Sequence, residues 1–231
     1  MSLKQGFLVW LLENHRDLYI RLKGLGGLVV GHDTRFFDIH IALIREGRGT
    51  QTLFERYNLY CLAKATARLP GMLAEAGVYR GGSAKLLCEI KGDTPLYLFD
   101  TFAGLPRGTL NVDPGFGTGQ FSETSLEQVE AYLKAFHNVH FYQGLFPASA
   151  MGREPERQSY RFVHLDLDLY QSTFDALGFF YPRMVKGGII VSHDYNLLRA
   201  IGVRKAFEEF FADKTEPIIP LWETQCVIVK T

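Results

Sequence analysis

The segment Leu73-Ala-Glu-Ala-Gly-Val-Tyr-Arg-Gly-Gly-Ser-Ala84 decides how the chain is read. A short apolar run enters Glu75, then Gly77, Gly81 and Gly82 free the backbone, and Ala84-Lys-Leu-Leu-Cys88 opens a helix. Strand, glycine turn and helix start together bring backbone N–H groups and the positive end of a helix dipole up to a ligand. The spacing is Glu-x-Gly-x-x-x-Gly, not the Gly-x-Gly-x-x-Gly of a nicotinamide site. Alone, such a loop is equally an ordinary tight turn, so its meaning rests on what surrounds it.

Downstream, apolar runs alternate with amphipathic segments, the pattern of a parallel α/β sheet. Strands are expected at 72–76, 96–100, 139–143, 161–166 and 189–193. The helices between and after them fall at about 83–90, 125–136, 172–181 and 199–211. The runs Ile218-Ile219 and Gln225-Cys-Val-Ile-Val-Lys230 are too close for a crossover helix. A hairpin is the expected connection, which puts an antiparallel strand at one edge of an otherwise parallel sheet. The glycine-rich loop 107–120 is expected to be the most mobile region. Upstream, 7–22 reads as one amphipathic helix, 38–45 is mixed, 47–50 is a loop, and 52–69 is helical until Pro70-Gly71. Residues 1–50 are therefore expected to form a helical or irregular arm supplying a lid or homodimer contacts, with residues 51–231 as the main domain.

Composition excludes several classes of partner. The 231 residues carry 25 basic and 25 acidic side chains, 47% hydrophobic residues and 22% charged ones. That balance fits a globular core and gives no footprint for nucleic acid or an acidic membrane surface. A small-molecule partner is expected. Three widely spaced cysteines, Cys61, Cys88 and Cys226, make neither a disulfide framework nor a zinc knuckle. Each is expected to fill an apolar core position. The run Phe7-Leu-Val-Trp-Leu-Leu12 is too short to span a bilayer and lacks the features of a secretory leader, so the expected location is cytoplasmic.

In an open parallel sheet, ligands bind beyond the carboxyl ends of the strands. Here those ends carry Glu75 with the glycine loop, Asp100, Gln143-Gly144, Asp166 with Asp168, and His193-Asp194-Tyr195. A carboxylate at Asp100 can accept both hydroxyls of a ribose, or it can simply hold the following turn. Asp166, His193 and Asp194 offer two carboxylates and an imidazole to a divalent cation. Asp168 reads either as a fourth member of that group or as the N-cap of the next helix. His164 and the aromatic group Phe174, Phe179, Phe180 and Tyr181 read as core, while Tyr170 and Tyr195 either line an acceptor pocket or pack internally.

Four motifs in order carry a family likeness: Glu75-Ala-Gly-Val-Tyr-Arg-Gly-Gly-Ser83, Leu98-Phe-Asp-Thr-Phe-Ala-Gly-Leu-Pro106, His164-Leu-Asp-Leu-Asp-Leu-Tyr170 and Gly187-Gly-Ile-Ile-Val-Ser-His-Asp-Tyr195. Together they resemble the macrocin O-methyltransferase (TylF-type) family of S-adenosylmethionine-dependent enzymes, over about residues 50–231. The resemblance implies a three-layer, Rossmann-like class I methyltransferase fold: a seven-stranded, mostly parallel sheet with one antiparallel strand in its edge region. It implies that Glu75, Gly77, Tyr79, Arg80, Gly81 and Ser83 surround the methionine part of S-adenosylmethionine. Asp100 would hold the ribose, Thr101 and Phe102 would lie near the adenosine, and Gln143 and Gly144 would border the adenine. It further implies a magnesium-type ion at the positions of Asp166, His193 and Asp194.

His193 is the departure, standing where the family pattern has aspartate. Imidazole suits softer ions than Mg2+ and removes a negative charge. Three outcomes are open: a softer metal, a weaker magnesium site, or no metal with His193 as base. The expected activity is methyl transfer from S-adenosylmethionine to a hydroxyl of a sugar or polyol-bearing small molecule such as a glycoside. Asp166 and His193 are the candidate bases. The competing readings are a cofactor-binding scaffold without catalysis and a nicotinamide-dependent oxidoreductase.

Overall fold

The computed structural model describes residues 3–25, 27–48, 50–109 and 111–231. The chain begins with helices α1 (Leu3–Asn14), α2 (Arg16–Leu22), α3 (Thr34–Arg45) and α4 (Leu53–Ala65). The alternating part follows: β1 (Met72–Ala76), α5 (Gly82–Ile90), β2 (Leu96–Asp100), α6 (Leu126–Leu133), β3 (Val139–Gln143) and β4 (Tyr160–Leu165). It continues with α7 (Tyr170–Phe180), β5 (Met184–Ser192), α8 (Ile201–Phe210), β6 (Ile219–Pro220) and β7 (Cys226–Val229).

Seven strands form one sheet in the order β3-β2-β1-β4-β5-β7-β6. The first five are mutually parallel, and β7 runs antiparallel to both β5 and β6. The hairpin is as expected, but its reversed strand is inserted beside β5, and the two-residue β6 forms the edge. Period-two alternation sends successive strand residues to opposite faces. Leu73, Leu96 and Leu98 join the core beneath α1, α3, α4 and α5, whereas Ala74, Tyr97 and Phe99 join the core beneath α7 and α8. Phe179 and Phe180 are buried there as expected, and Tyr195 is 4% exposed and meets Phe207 edge-on. Internal packing, not a pocket wall, is the place of Tyr195.

The amino-terminal region is more regular than its sequence suggests. The helix expected at 7–22 is broken at His15, where the backbone turns extended (φ −141°). Asn14 donates its side-chain amide to the Trp10 carbonyl at 2.9 Å, satisfying one of the carbonyls a helix end leaves free. The stretch read as mixed is helix α3, capped by Asp33, whose carboxylate accepts from the Phe36 N–H at 2.9 Å. Phe36, Phe37, Ile41 and Leu43 on α3 share one continuous core with Leu86, Leu87 and Leu98. Helix α4 starts with a capping box in which Thr52 accepts from Glu55 N–H and the Glu55 carboxylate accepts from Thr52 N–H. It ends at Ala65, short of the expected 69, as the Thr66 hydroxyl turns back to the Ala63 carbonyl. Within the predicted 47–50 loop, Gly49 lies outside the described residues. Cys88 and Cys226 are buried as expected, whereas Cys61 is exposed on the outer side of α4. Among the described residues, no helix is long and apolar enough to cross a membrane.

The glycine-rich loop is anchored. Asp113 in it is 5% exposed and accepts from Thr109 N–H at 2.7 Å and from Tyr170 N–H at 2.9 Å. The second bond caps α7 from outside. Asp168, read as a candidate cap, does not perform that role: the N-cap position is Leu169, with no side-chain bond.

Candidate active site

The carboxyl ends of β1, β2, β4 and β5 meet around one cleft. Gly77, at the tip of β1, has φ +89°, and a Cβ there would fall 1.8 Å from the Asp166 carbonyl oxygen. Only glycine allows β1 and β4 to come this close while the chain turns. Gly77 N–H donates to the Phe99 carbonyl and Asp166 N–H to the Ala76 carbonyl, so the loop is tied to both neighbouring strands.

Asp100 ends β2 and holds the loop from the other side. Its Oδ2 accepts from the N–H groups of Val78 (2.7 Å) and Tyr79 (2.8 Å), and its Oδ1 accepts from Phe102 N–H (2.8 Å). A carboxylate offers about four lone-pair sites. Three are taken by backbone; the Thr101 hydroxyl also lies 3.4 Å from Oδ1, but its single proton is met at 2.7 Å by the Gly104 carbonyl, which leaves Oδ1 with capacity for one more donor. These bonds maintain Tyr79 and Phe102 at φ +50° and +51°, in the left-handed region non-glycine residues seldom enter.

Glu75 and His164 are register partners on β1 and β4, and both are fully buried. Glu75 Oε1 lies 2.7 Å from His164 Nδ1, and Gln51 Nε2 lies 3.4 Å from His164 Nε2. An Nδ1–H tautomer satisfies both contacts, donating to the carboxylate and accepting from the amide. Burial raises the Glu75 carboxyl above its ordinary value, against the lowering pull of His164. His164 is thus a core histidine, as its apolar run suggested.

Opposite the loop lies an acidic cluster around His193. Its Nδ1 is 3.2 Å from Asp166 Oδ1 and 3.0 Å from Asp194 Oδ1, and its Nε2 is 3.3 Å from Glu55 Oε1. Glu55 is fixed by its capping role at Thr52 N–H (2.8 Å) and by the Thr224 hydroxyl, which donates to Oε1. Burial opposes a charge on His193, yet Asp166, Asp194 and Glu55 raise its pKa well above the ordinary imidazole value. In turn, burial pushes Asp166 up, but His193 holds it below the usual carboxylate range. Burial and the charges of Asp166 and Asp194, together with a side-chain bond to Asp194, push Asp168 well above its usual value. Asp168 and Asp194 both have positive φ, +61° and +67°.

The cleft is lined by Gly77, Tyr79, Ser83, Asp100, Thr101, Gly144, Asp166, His193 and Asp194 from the sequence-predicted set. Glu75, Arg80, Gly81, Phe102 and Gln143 do not line it. Glu75 and Phe102 support the wall from behind, at 0% and 5% exposure. Asp168, read as either a member of the acidic group or a cap, lines it; Arg48, Gln51 and Arg56 line it without having been assigned there, and Glu55 touches His193 from outside. The Thr52-x-x-Glu55 capping box was visible in the sequence, but its contact across 138 positions with His193 was not.

Asp166, His193 and Asp194 fit a divalent ion. Their donor atoms lie within 4.8 Å of one another. The 3.0 and 3.2 Å separations from Nδ1 are close to the edge of about 2.9 Å between neighbouring ligands of an octahedral ion with bonds of about 2.0–2.1 Å. Glu55 Oε1 stands 3.3 Å from the other ring nitrogen, Nε2, where a ligating imidazole ordinarily has its outer partner. Four carboxyl groups around one imidazole also leave an excess of negative charge for a cation to balance.

Strand order, a glycine loop after β1, an acid at the tip of β2 and helices on both faces define a class I, Rossmann-like methyltransferase fold. Residues 58–227 match the Macrocin-O-methyltransferase (TylF) family profile, and the chain belongs to that family. It is 32% identical to the 8-demethyl-8-(2,3-dimethoxy-alpha-L-rhamnosyl)-tetracenomycin-C 4'-O-methyltransferase of Streptomyces olivaceus, over 59% of this chain and 58% of the relative. It is 27% identical to the demethyldecarbamoylnovobiocin O-methyltransferase of Streptomyces niveus, over 55% of this chain and 53% of the relative. The chain thus spans little more than half the length of either. Among solved structures, the O-methyltransferase NovP superposes with a TM-score of 0.66 at 23% identity, covering 79% of this chain and 83% of that one. The calicheamicin methyltransferase CalS11 superposes with a TM-score of 0.69 at 17% identity, covering 99% and 93%. At these identities the superpositions speak to the fold.

Proposed function

We propose that the protein transfers the methyl group of S-adenosylmethionine to a hydroxyl of a sugar carried by a small molecule, working in the cytoplasm with a divalent ion at Asp166, His193 and Asp194. The observation that carries this reading is that the glycine loop and the acidic cluster open onto one cleft. Both Streptomyces relatives are named for O-methyl transfer, one to a rhamnosyl compound, which supports a glycoside as acceptor.

The sulfonium already activates the methyl group, so the chain has to align an acceptor oxygen and take its proton. Bound S-adenosylmethionine would supply the methyl group to the acceptor oxygen and leave as S-adenosylhomocysteine, with the hydroxyl proton passing to Asp166. Asp166 suits this role because it lines the cleft and stays ionised. His193 suits it less, because both its ring nitrogens already face carboxylates. Its role is to orient Asp166 and Asp194. A divalent ion bound there would lower the pKa of the acceptor hydroxyl and fix its direction. Leu105, Pro106 and Phe146 provide the apolar wall an adenine requires, and the free capacity of Asp100 Oδ1 takes one ribose hydroxyl.

The test is incubation with methyl-labelled S-adenosylmethionine and a panel of rhamnosides and other glycosides, with and without chelator. Label in a sugar O-methyl group, reduced by chelator, is the expected result. Label that moves to nitrogen or carbon acceptors only would overturn the reading.

A further inference from the structure

The cleft contains a second charged feature that the chemistry above does not use. Arg56, on the first turn of α4, is 5% exposed and lines the cleft, and so does the half-buried Arg48. Among the described residues, neither guanidinium has a carboxylate within ion-pair distance. Arg56 feels the Glu55 charge only from beyond ion-pair distance, and a buried guanidinium met so incompletely is costly unless something that binds completes the balance.

Both arginines are held in place by neutral partners. Arg56 Nη1 lies 3.3 Å from His40 Nδ1, and Arg56 Nη2 donates to the Arg48 carbonyl at 3.3 Å. Burial and the Arg56 charge lower His40 to about 3, so its ring is neutral and Nδ1 accepts. Arg48 Nη1 donates to the Arg80 carbonyl at 3.0 Å, which ties it to the glycine loop, and its guanidinium lies 4.2 Å above the Tyr132 ring. Arg56 has five N–H donors and these contacts use two. Three remain, and a carboxylate needs two for a bidentate pair.

We propose that Arg56 and Arg48 form the subsite for the α-carboxylate of the cofactor's methionine moiety, a deeper assignment that rests on the S-adenosylmethionine reading. The sulfonium carries three substituents that leave it in different directions. Its methyl group has to face the acceptor at Asp166, and its ribose has to run toward Asp100. The third substituent, the aminoacyl arm, is assigned to the part of the cleft lined by Gly82, Ser83, Arg48, Gln51 and Arg56. The remaining cleft arginine, Arg199, belongs to the segment that follows β5 and has its guanidinium 4.9 Å over the Phe116 ring. The residues that close the cofactor site therefore come from before β1, from the start of α4 and the turn leading into it.

The experiment compares two ligands that share adenosine and sulfur but differ in the amino-acid part: S-adenosylhomocysteine and 5′-methylthioadenosine. Calorimetric titration of Arg56→Gln and Arg48→Gln is expected to weaken S-adenosylhomocysteine by about 10- to 100-fold. Affinity for 5′-methylthioadenosine, which has no carboxylate, should stay within about twofold of wild type. Equal weakening of both ligands would make the arginines mere wall, and unchanged binding of S-adenosylhomocysteine would place the carboxylate elsewhere; either result overturns the assignment. If Arg56→Gln does not fold by circular dichroism, the half-buried Arg48→Gln decides alone. Wild-type protein that binds neither ligand would remove the cofactor reading itself, which separates that failure from failure of the arginine subsite.

Discussion

Glu55 Oε1 stands 3.3 Å from His193 Nε2, joining the first turn of α4 to the end of β5 across the wall of the cleft. This contact turns a helix cap into part of the site. The same carboxylate closes the capping box of α4, accepts from Thr224 and faces the ring whose other nitrogen lies 3.2 Å from Asp166 and 3.0 Å from Asp194.

The contact has a consequence for acid stability. Burial pushes Glu55 upward, but hydrogen bonds and charge from His193, with Thr224 and Thr52, hold it down to about 2. A folded pKa below the unfolded value means that the stabilisation is present above about pH 4.5 and is lost as pH falls toward 2. Glu55→Gln retains the N3 side chain that a capping box accepts but removes the ionisation. Urea unfolding between pH 2 and 7 should show wild type losing stability across that acid window. The variant should start about 2–4 kcal/mol lower at pH 7 and change less on acidification.

His193→Asp restores a second acid after β5. The added oxygen ligand and negative charge should tighten Mg2+ binding by roughly tenfold and weaken Zn2+ relative to it. Titration of both ions into both proteins checks this. Equal Mg2+ affinity in the two proteins would show that residue 193 does not face the ion.

Gly77→Ala places a methyl group on the Asp166 carbonyl at a backbone angle that L-residues avoid. Positive φ and overpacking each cost about 1–3 kcal/mol, so a loss of about 2–5 kcal/mol is expected in denaturant unfolding. A loss below about 0.5 kcal/mol, within the usual range for surface substitutions, would mean that the two strand ends are free to separate.

Asp100→Ala removes three backbone bonds and the acceptor offered to ribose. Because the loop and the ribose are both affected, S-adenosylhomocysteine and 5′-methylthioadenosine should weaken alike, by about tenfold or more. Parallel titrations test it, and a loss confined to one ligand would contradict the role given to Asp100.

The parallel part of the sheet was legible because each of its five strands is a short apolar run that meets polar residues at its carboxyl end. The glycine loop was legible for the same reason, since Gly77 and Gly81 report backbone geometry directly. Helix α3 also carried such a signal, Asp33 ahead of Phe36, Phe37 and Leu43, but a mixed reading of 38–45 hid it. Arg48 and Arg56 carried none. A guanidinium on a helix reads as a solvated face, and nothing local tells that α4 packs with that face against the cleft. The choice between cap and cluster for Asp168 stayed open in the sequence because the true capping group, Asp113, comes from a loop 57 residues before Tyr170.

The central claim is that the cleft belongs to S-adenosylmethionine, and calorimetric titration of the wild-type protein with S-adenosylhomocysteine and, separately, with NAD tests it most directly. Saturable one-to-one binding of S-adenosylhomocysteine with no heat from NAD is predicted. Tight binding of NAD with none of S-adenosylhomocysteine would contradict it.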